Sequence, residues 1–275
     1  MSSGNPSFED PKALAWLLRW YAEAGVDVAL DPEPHDRFAD RAMPRKPVDI
    51  PKPQGPEAPK AQAATVPLSS EAAAQSAAEA AASARTLDEL RARLDAFEGC
   101  ALKATATQLV FADGNPRAKI MFVGEAPGAD EDRQGLPFVG RAGQLLDKML
   151  ASIGLDRRHV YIANVVPWRP PGNRTPTPIE TAACLPFMRR QIELVSPKVL
   201  VCLGAAASQT LLGIRDGIMR IRGRWFEYHS AEAKIPTLAM LHPAYLLRQP
   251  SHKKFAWQDL RELAKIIEKV GAREN

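Results

Sequence analysis

The sequence predicts an α/β fold, a short and mainly parallel four-stranded sheet with helices on both faces. Two observations carry this. Four apolar runs, KIMFVG (119–124), VYIANVV (160–166), KVLVCLG (198–204) and PTLAMLH (236–242), read as buried strands. Helical patterns at GRAGQLLDKMLASIG (140–154), PIETAACLPFMRRQIELV (178–195) and AAASQTLLG (205–213) lie between them, and that alternation implies parallel strands joined by crossover helices. Ligands of such sheets bind outside the carboxyl ends of the strands.

In chain order, residues 8–30 open with an acidic turn and a proline suited to a first helical position. Leu14, Leu17, Leu18, Tyr21 and Ala22 then recur at helical spacing, with Trp16 and Trp20 on an adjoining stripe. One helix cannot bury that much apolar surface alone, so residues 1–30 form an amphipathic helix that docks on the main domain or on a protein partner. Residues 31–68 hold nine prolines, and residues 69–84 hold nine alanines in sixteen positions. Residues 31–85 are therefore expected to be a flexible linker, transiently helical in its alanine stretch. The folded domain is expected over 86–272. It opens on the capping box TLDE, from Thr86 to Glu89, with Leu87, Leu90, Leu94 and Phe97 following on one helical face.

Charge divides along the same line. Residues 1–86 carry nine Lys and Arg against twelve Asp and Glu, whereas residues 87–275 carry 27 against 20. A basic folded half fits a polyanionic partner, although the same excess also serves solubility. No apolar run reaches the length needed to span a bilayer, and the N-terminus lacks the order of a secretory signal. Three separated cysteines make no disulfide framework. The expectation is a soluble, cytoplasmic protein.

The loops after the strands are where chemistry collects. GEAPGADEDRQGLPFVGRAGQLL (124–146) follows the first strand and crowds Glu125, Asp130, Glu131 and Asp132 beside a Pro-Phe pair. NVVPWRPPGNR (164–174) contains the end of the second strand, and HPAYLLRQP (242–250) follows the fourth. An acidic loop, an Asn-bearing loop and a His-Pro loop thus converge on one edge of the sheet.

These three loops, in this order and spacing, resemble the uracil-DNA glycosylase superfamily, and most of all its family 4. The residues that carry the likeness are GEAPGADED with PFVGRAGQLLD thirteen residues after its first glycine, VYIANVVPWRPPGNRTPTPIE, VLVCLG and LHPAYLLRQP. It covers roughly residues 97–262 and leaves the first 86 unmatched. The resemblance implies an α/β/α sandwich and hydrolysis of the N-glycosidic bond of deoxyuridine in DNA, leaving an abasic site. A base inside a duplex must first be flipped out of the stack.

By the same resemblance, Glu125 is the catalytic carboxylate that positions water and stabilises positive charge on the sugar. His242 hydrogen-bonds uracil O2 as negative charge builds on the leaving base. Gly124 and Glu131 border the base, Phe138 stacks on it, and the Asn164 amide pairs with O4 and N3–H, a pattern that cytosine reverses. Arg169, Asn173, Arg174 and Arg248 suit phosphate contacts, as do Arg222, Arg224, Lys253 and Lys254. Leu246 and Leu247 suit either an apolar wedge in the vacated stack or the first turn of the last helix. Asp130 and Asp132 read as solvated loop charges.

Family 4 members carry a [4Fe–4S] cluster on four cysteines. Here Cys100 and Cys184 match two of those positions, while Phe97 and Trp168 occupy the others. Neither replacement can ligate iron. The expectation is that the cluster is lost, that aromatic packing substitutes for it, and that the reaction needs no metal. Cys202, in VLVCLG, reads as a small buried hydrophobe. The expected partner is uracil-containing DNA, met by a monomer. The alternative is a non-catalytic DNA- or abasic-site-binding module of the same fold.

Overall fold

A computed structural model of the chain describes residues 70–271 apart from Glu232 and Val270. The chain divides into two units, Met1–Ala63 and Ala64–Asn275, and the description concerns the second. The expected helix at 8–30 and most of the expected linker lie outside the described residues.

The predicted strands form the centre of the sheet. They are β2 (Ile120–Gly124), β3 (Tyr161–Asn164), β4 (Val199–Leu203) and β6 (Lys234–Met240), all mutually parallel in the order β3-β2-β4-β6. Two strands that sequence reading missed complete a six-stranded sheet at its edges. β1 (Asp113–Gly114) pairs antiparallel with β3, and β5 (Trp225–His229) antiparallel with β6. β1 is too short to show a period, and β5 has one buried residue, Tyr228, so neither reads as an apolar run.

Side-chain alternation along the central strands divides the core in two. Met121, Val123, Ala163, Leu200 and Cys202 face one layer; Ile120, Phe122, Ile162, Val201 and Met240 face the other. The first layer is covered by α1 (Ser70–Ala82), α2 (Leu87–Ala96), α5 (Pro178–Val195) and α6 (Ala205–Leu212). The second is covered by α4 (Arg141–Ala151), α8 (Pro243–Arg248) and α9 (Lys253–Lys269). Short helices α3 (Ala129–Gln134) and α7 (Ile218–Ile221) lie in the connections.

Helix ends follow their sequence signals. Thr86 caps α2 by accepting from Glu89 N at 3.2 Å, and Thr177 caps α5 in a full capping box with Glu180 and Pro178 at the first position. The expected domain start at Thr86 requires correction, because α1 precedes it and packs on α5. Ala73, Ala77, Ala81 and Ala84 are all buried. Ala73, Ala77 and Ala81, spaced four apart on α1, form a smooth stripe that lets two helix backbones approach closely, and Ala84 continues it just past the helix end. An alanine stripe buries little area per residue, which is why its composition resembles a linker.

Candidate active site

The three loops meet in a cleft of about 690 Å³ at the carboxyl edge of the sheet. Its walls include Glu125, Glu131, Phe138, Asn164, Arg174, His242 and Arg248, so most of the expected residues do come together. Gly124 is not part of the lining; it lies against Asn164 and Phe138.

Gly124 and Asn164 are register partners at the ends of β2 and β3. Backbone pairing continues past the strands, Val165 N donating to Gly124 O and Val166 N to Glu125 O, each at 3.0 Å. That zipper fixes Glu125 and Asn164 side by side. A Cβ on Gly124 would strike Asn164 Oδ1 and come within 2.6 Å of Phe138 Cζ. Only glycine permits the amide and the ring to close over the strand end.

Two buried side-chain oxygens among the described residues lack a hydrogen-bond partner, Glu125 Oε1 and Asn164 Oδ1. Both line the same cleft. Orphaned buried acceptors are costly, on the order of 1–3 kcal/mol each, and mark a site awaiting a polar ligand. Burial raises the Glu125 pKa, making it a stronger base, against an opposing hydrogen bond from Thr175. Sequence reading missed Thr175, which sits in the Pro-rich loop with no signal of its own.

His242 is the N-cap of α8, its Nδ1 accepting from Ala244 N at 3.1 Å. An accepting Nδ1 leaves the proton of the neutral ring on Nε2, so the free nitrogen is a donor. Burial, and secondarily the nearby Arg248 cation, push its pKa down to about 4. At neutral pH the ring is therefore an uncharged donor. Gly204, in the left-handed region at φ 93°, ends β4 beside it, where a Cβ would come within 3.1 Å of His242 Cβ.

Phe138 is buried, with its ring centroid 5.5 Å from that of His242 at an interplanar angle of 32°. Its backbone is left-handed at φ 56°, a conformation unusual for an aromatic residue. Glu131 braces the loop around it. One carboxylate oxygen accepts from Val139 N and Gly140 N at 3.0 and 2.9 Å, and the other from Gly128 N at 3.1 Å. Glu131 thus ties the GEAPG turn to the PFVG turn through the backbone it fixes.

Several expectations are corrected. Asp132 is buried, accepting from Thr107 N and Oγ1 at 2.8 Å each, so it anchors the segment after α2 and is not a solvated charge. Leu246 is buried in the second core layer, which removes it as a stack-filling wedge; Leu247, half-buried, is the residue of the pair nearer solvent. Arg222 is committed to the buried Asp259 and to Phe255 O, an internal brace where a phosphate contact was expected. Arg174 holds both oxygens of Glu180, at 2.8 and 2.6 Å, and Arg169 donates to Asn173 Oδ1 at 2.8 Å. Any phosphate reaching these arginines competes with partners already in place, whereas Arg248 is exposed at the rim.

Phe97, Cys100, Trp168 and Cys184 share the first core layer, all buried. The Phe97 ring lies 5.1 Å from that of Phe187, and Cys184 Sγ is 3.7 Å from Cys100 Sγ. Cys100 beside it and burial hold the Cys184 thiol protonated. A cuboidal cluster asks for four thiolates, and two thiols with a phenylalanine and a tryptophan at the other two positions do not fit it. Among the described residues no group of three or more His, Cys, Asp or Glu side chains is arranged to hold a metal. Cys202, fully buried, behaves as the expected small hydrophobe.

Comparison with known proteins agrees with this architecture. The family described as "Uracil DNA glycosylase superfamily" matches residues 111–261. The chain is similar to the Type-4 uracil-DNA glycosylase of Archaeoglobus fulgidus, 42% identical over 188 residues that span 67% of this chain and 94% of the relative. It is similar also to the Type-4 uracil-DNA glycosylase of Thermotoga maritima, at 42% over 65% of this chain and 93% of that one. For the Type-4 enzyme of Sulfurisphaera tokodaii the identity is 37%, over 66% and 84%. By its loops, its sheet and these likenesses, the chain belongs to the uracil DNA glycosylase superfamily.

Proposed function

We propose that this protein flips uracil out of DNA and hydrolyses its N-glycosidic bond, leaving an abasic site. The observation that carries the reading is the pair of orphaned acceptors, Glu125 Oε1 and Asn164 Oδ1, in one cleft with a neutral histidine donor. In this reading the flipped base lies against Phe138. Base–aromatic stacking of this kind contributes about 1–3 kcal/mol. The Asn164 amide accepts from uracil N3–H and donates to O4. His242 Nε2–H donates to O2.

As the C1′–N1 bond breaks, its electron pair passes to the base, and the histidine donor stabilises the charge delocalised onto O2. Glu125 faces the opposite charge, the cation developing on the deoxyribose. Its carboxylate orients a water whose oxygen forms the new bond to C1′ and whose proton is taken up by Glu125 or solvent. The uracil anion is protonated on release. Cytosine presents a donor at its 4-position and an acceptor at N3, which leaves the Asn164 pairing unmet.

The reading includes a protein that works as a cytoplasmic monomer without an iron–sulfur cluster. Support for the last point is that Phe97 and Trp168, neither able to ligate iron, are both buried in the first core layer with Cys100 and Cys184. Iron and acid-labile sulfide are expected well below one cluster per chain in anaerobically purified protein, and stoichiometric amounts would overturn it.

The decisive experiment uses a single-uracil DNA oligomer with matched thymine and cytosine controls. Alkali-labile sites are expected at uracil alone, with at least a ~100-fold loss for Glu125→Ala and for His242→Ala. Retained binding to uracil or abasic DNA with no strand cleavage by the wild type would replace the enzyme with a non-catalytic binding module.

A further inference from the structure

The left-handed backbone of Phe138 is held by a residue outside the cleft. Arg157 lies beyond α4, and each of its five N–H groups is directed at an acceptor. Nε donates to Asp147 Oδ1 at 2.8 Å, while Nη2 reaches Asp147 Oδ2 at 3.4 Å and also Phe138 O. Nη1 pairs with Asp113 and donates to Pro137 O at 3.3 Å. The two aspartates, one on edge strand β1 and one on α4, fix the guanidinium plane. The two remaining directions of its fork fall on consecutive carbonyls of the Phe138 loop.

Those carbonyls are half of a two-sided grip. Glu131 holds the amides of Val139 and Gly140, immediately after Phe138. Gly143 of α4 leaves room on the same side, since a Cβ there would collide with the Phe138 carbonyl. An aromatic residue at φ 56° is strained and persists only where its surroundings enforce it. Relaxed to an ordinary extended conformation, the same residue would turn its ring away from Asn164 and His242.

We propose that Arg157 is a positioning residue, which acts through the Phe138 carbonyl to hold the ring in the stacking orientation. Arginine is required because only a planar fork can satisfy two carboxylates and two carbonyls at once. A lysine keeps the charge between Asp113 and Asp147 but lacks the geometry to hold both carbonyls. The inference rests on the glycosylase reading.

The test is a double-mutant cycle on the full chain, read as single-turnover excision from a single-uracil oligomer beside the melting temperature. Arg157→Lys is expected to slow excision about 10- to 100-fold, the effect of misplacing a group by roughly 1 Å. In a Phe138→Ala background the same substitution should change the rate less than about twofold, because the ring through which it acts is gone. Asp147→Asn, which loosens the guanidinium from one side at a half-exposed position, should show a milder slowing that also vanishes with Phe138→Ala. It keeps the test alive if Arg157→Lys does not fold. Equal slowing with and without Phe138, or a lowered melting temperature at wild-type rate, would make Arg157 a merely structural brace. An inactive wild type would instead overturn the glycosylase reading itself, so the two failures are distinct.

Discussion

Acidification should destabilise this protein through His242, by an amount that follows from the ring's surroundings. Protonating the folded imidazole would put charge into a buried site beside the Arg248 cation, and its Nδ1 is already occupied by Ala244 N–H. Its folded pKa of about 4 lies below the ordinary 6.5. Between those values the unfolded chain binds a proton that the folded chain refuses, so stability falls as pH falls through that window. Above pH 6.5 both states are neutral and the contribution disappears. By pH 4 the loss amounts to about 3 kcal/mol. Carboxylates titrate over the same range, so the measurement is a difference between wild type and His242→Asn, which keeps a capping acceptor but cannot titrate. Urea unfolding followed by tryptophan fluorescence at about pH 7.5 and about pH 4.5 should show the wild type losing roughly 2–3 kcal/mol more than the variant. A difference that stays constant across that range would refute the neutral, Nε2-protonated ring and the donor role built on it.

Two further outcomes separate chemistry from packing. Gly124→Ala should cut uracil excision at least ~100-fold, since its methyl group displaces both the Asn164 amide and the Phe138 ring; near-wild-type turnover in the oligomer assay would contradict the close approach. Leu246→Ala should destabilise the fold by about 2–5 kcal/mol in urea unfolding, as a buried core residue does. It should leave the excision rate of the remaining folded protein within a few-fold of wild type, and a large rate loss without destabilisation would return Leu246 to the role of a wedge.

The parallel strands and helices α2, α4, α5 and α6 were legible because buried parallel strands are short apolar runs and helices carry capping chemistry and a 3.6-residue period; α9 (Lys253–Lys269) was not assigned. α5 spans Pro178–Val195, the bounds its sequence pattern predicts. Edge strands β1 and β5 were not legible: β1 has two residues, and β5, though aromatic, buries only Tyr228 and shows no apolar run. Helix α1 was hidden because an alanine stripe pays in closeness of approach, which composition does not report. At the site, the convergence of the three loops was legible from topology alone. What a charge does there was not. Glu131 was expected to border the base, Asp132 to be solvated, and Arg174 and Arg222 to meet phosphate, yet each is engaged with an internal partner, and Arg157 shows its role only through the two carbonyls that it meets.

The two-sided core also has a bearing on how such an enzyme can be rebuilt. Phe97, Cys100, Trp168 and Cys184 lie in one layer, whereas Phe138 and Leu246 belong to the other, with the sheet between them. The first side can carry aromatic rings at Phe97 and Trp168 while the Phe138 loop keeps its own supports. Substitutions at Phe97, Cys100, Trp168 or Cys184 should therefore register as melting temperature, with the Phe138 loop and its turnover little changed. The sheet acts as a partition that lets one half of the protein change its materials without renegotiating the chemistry of the other.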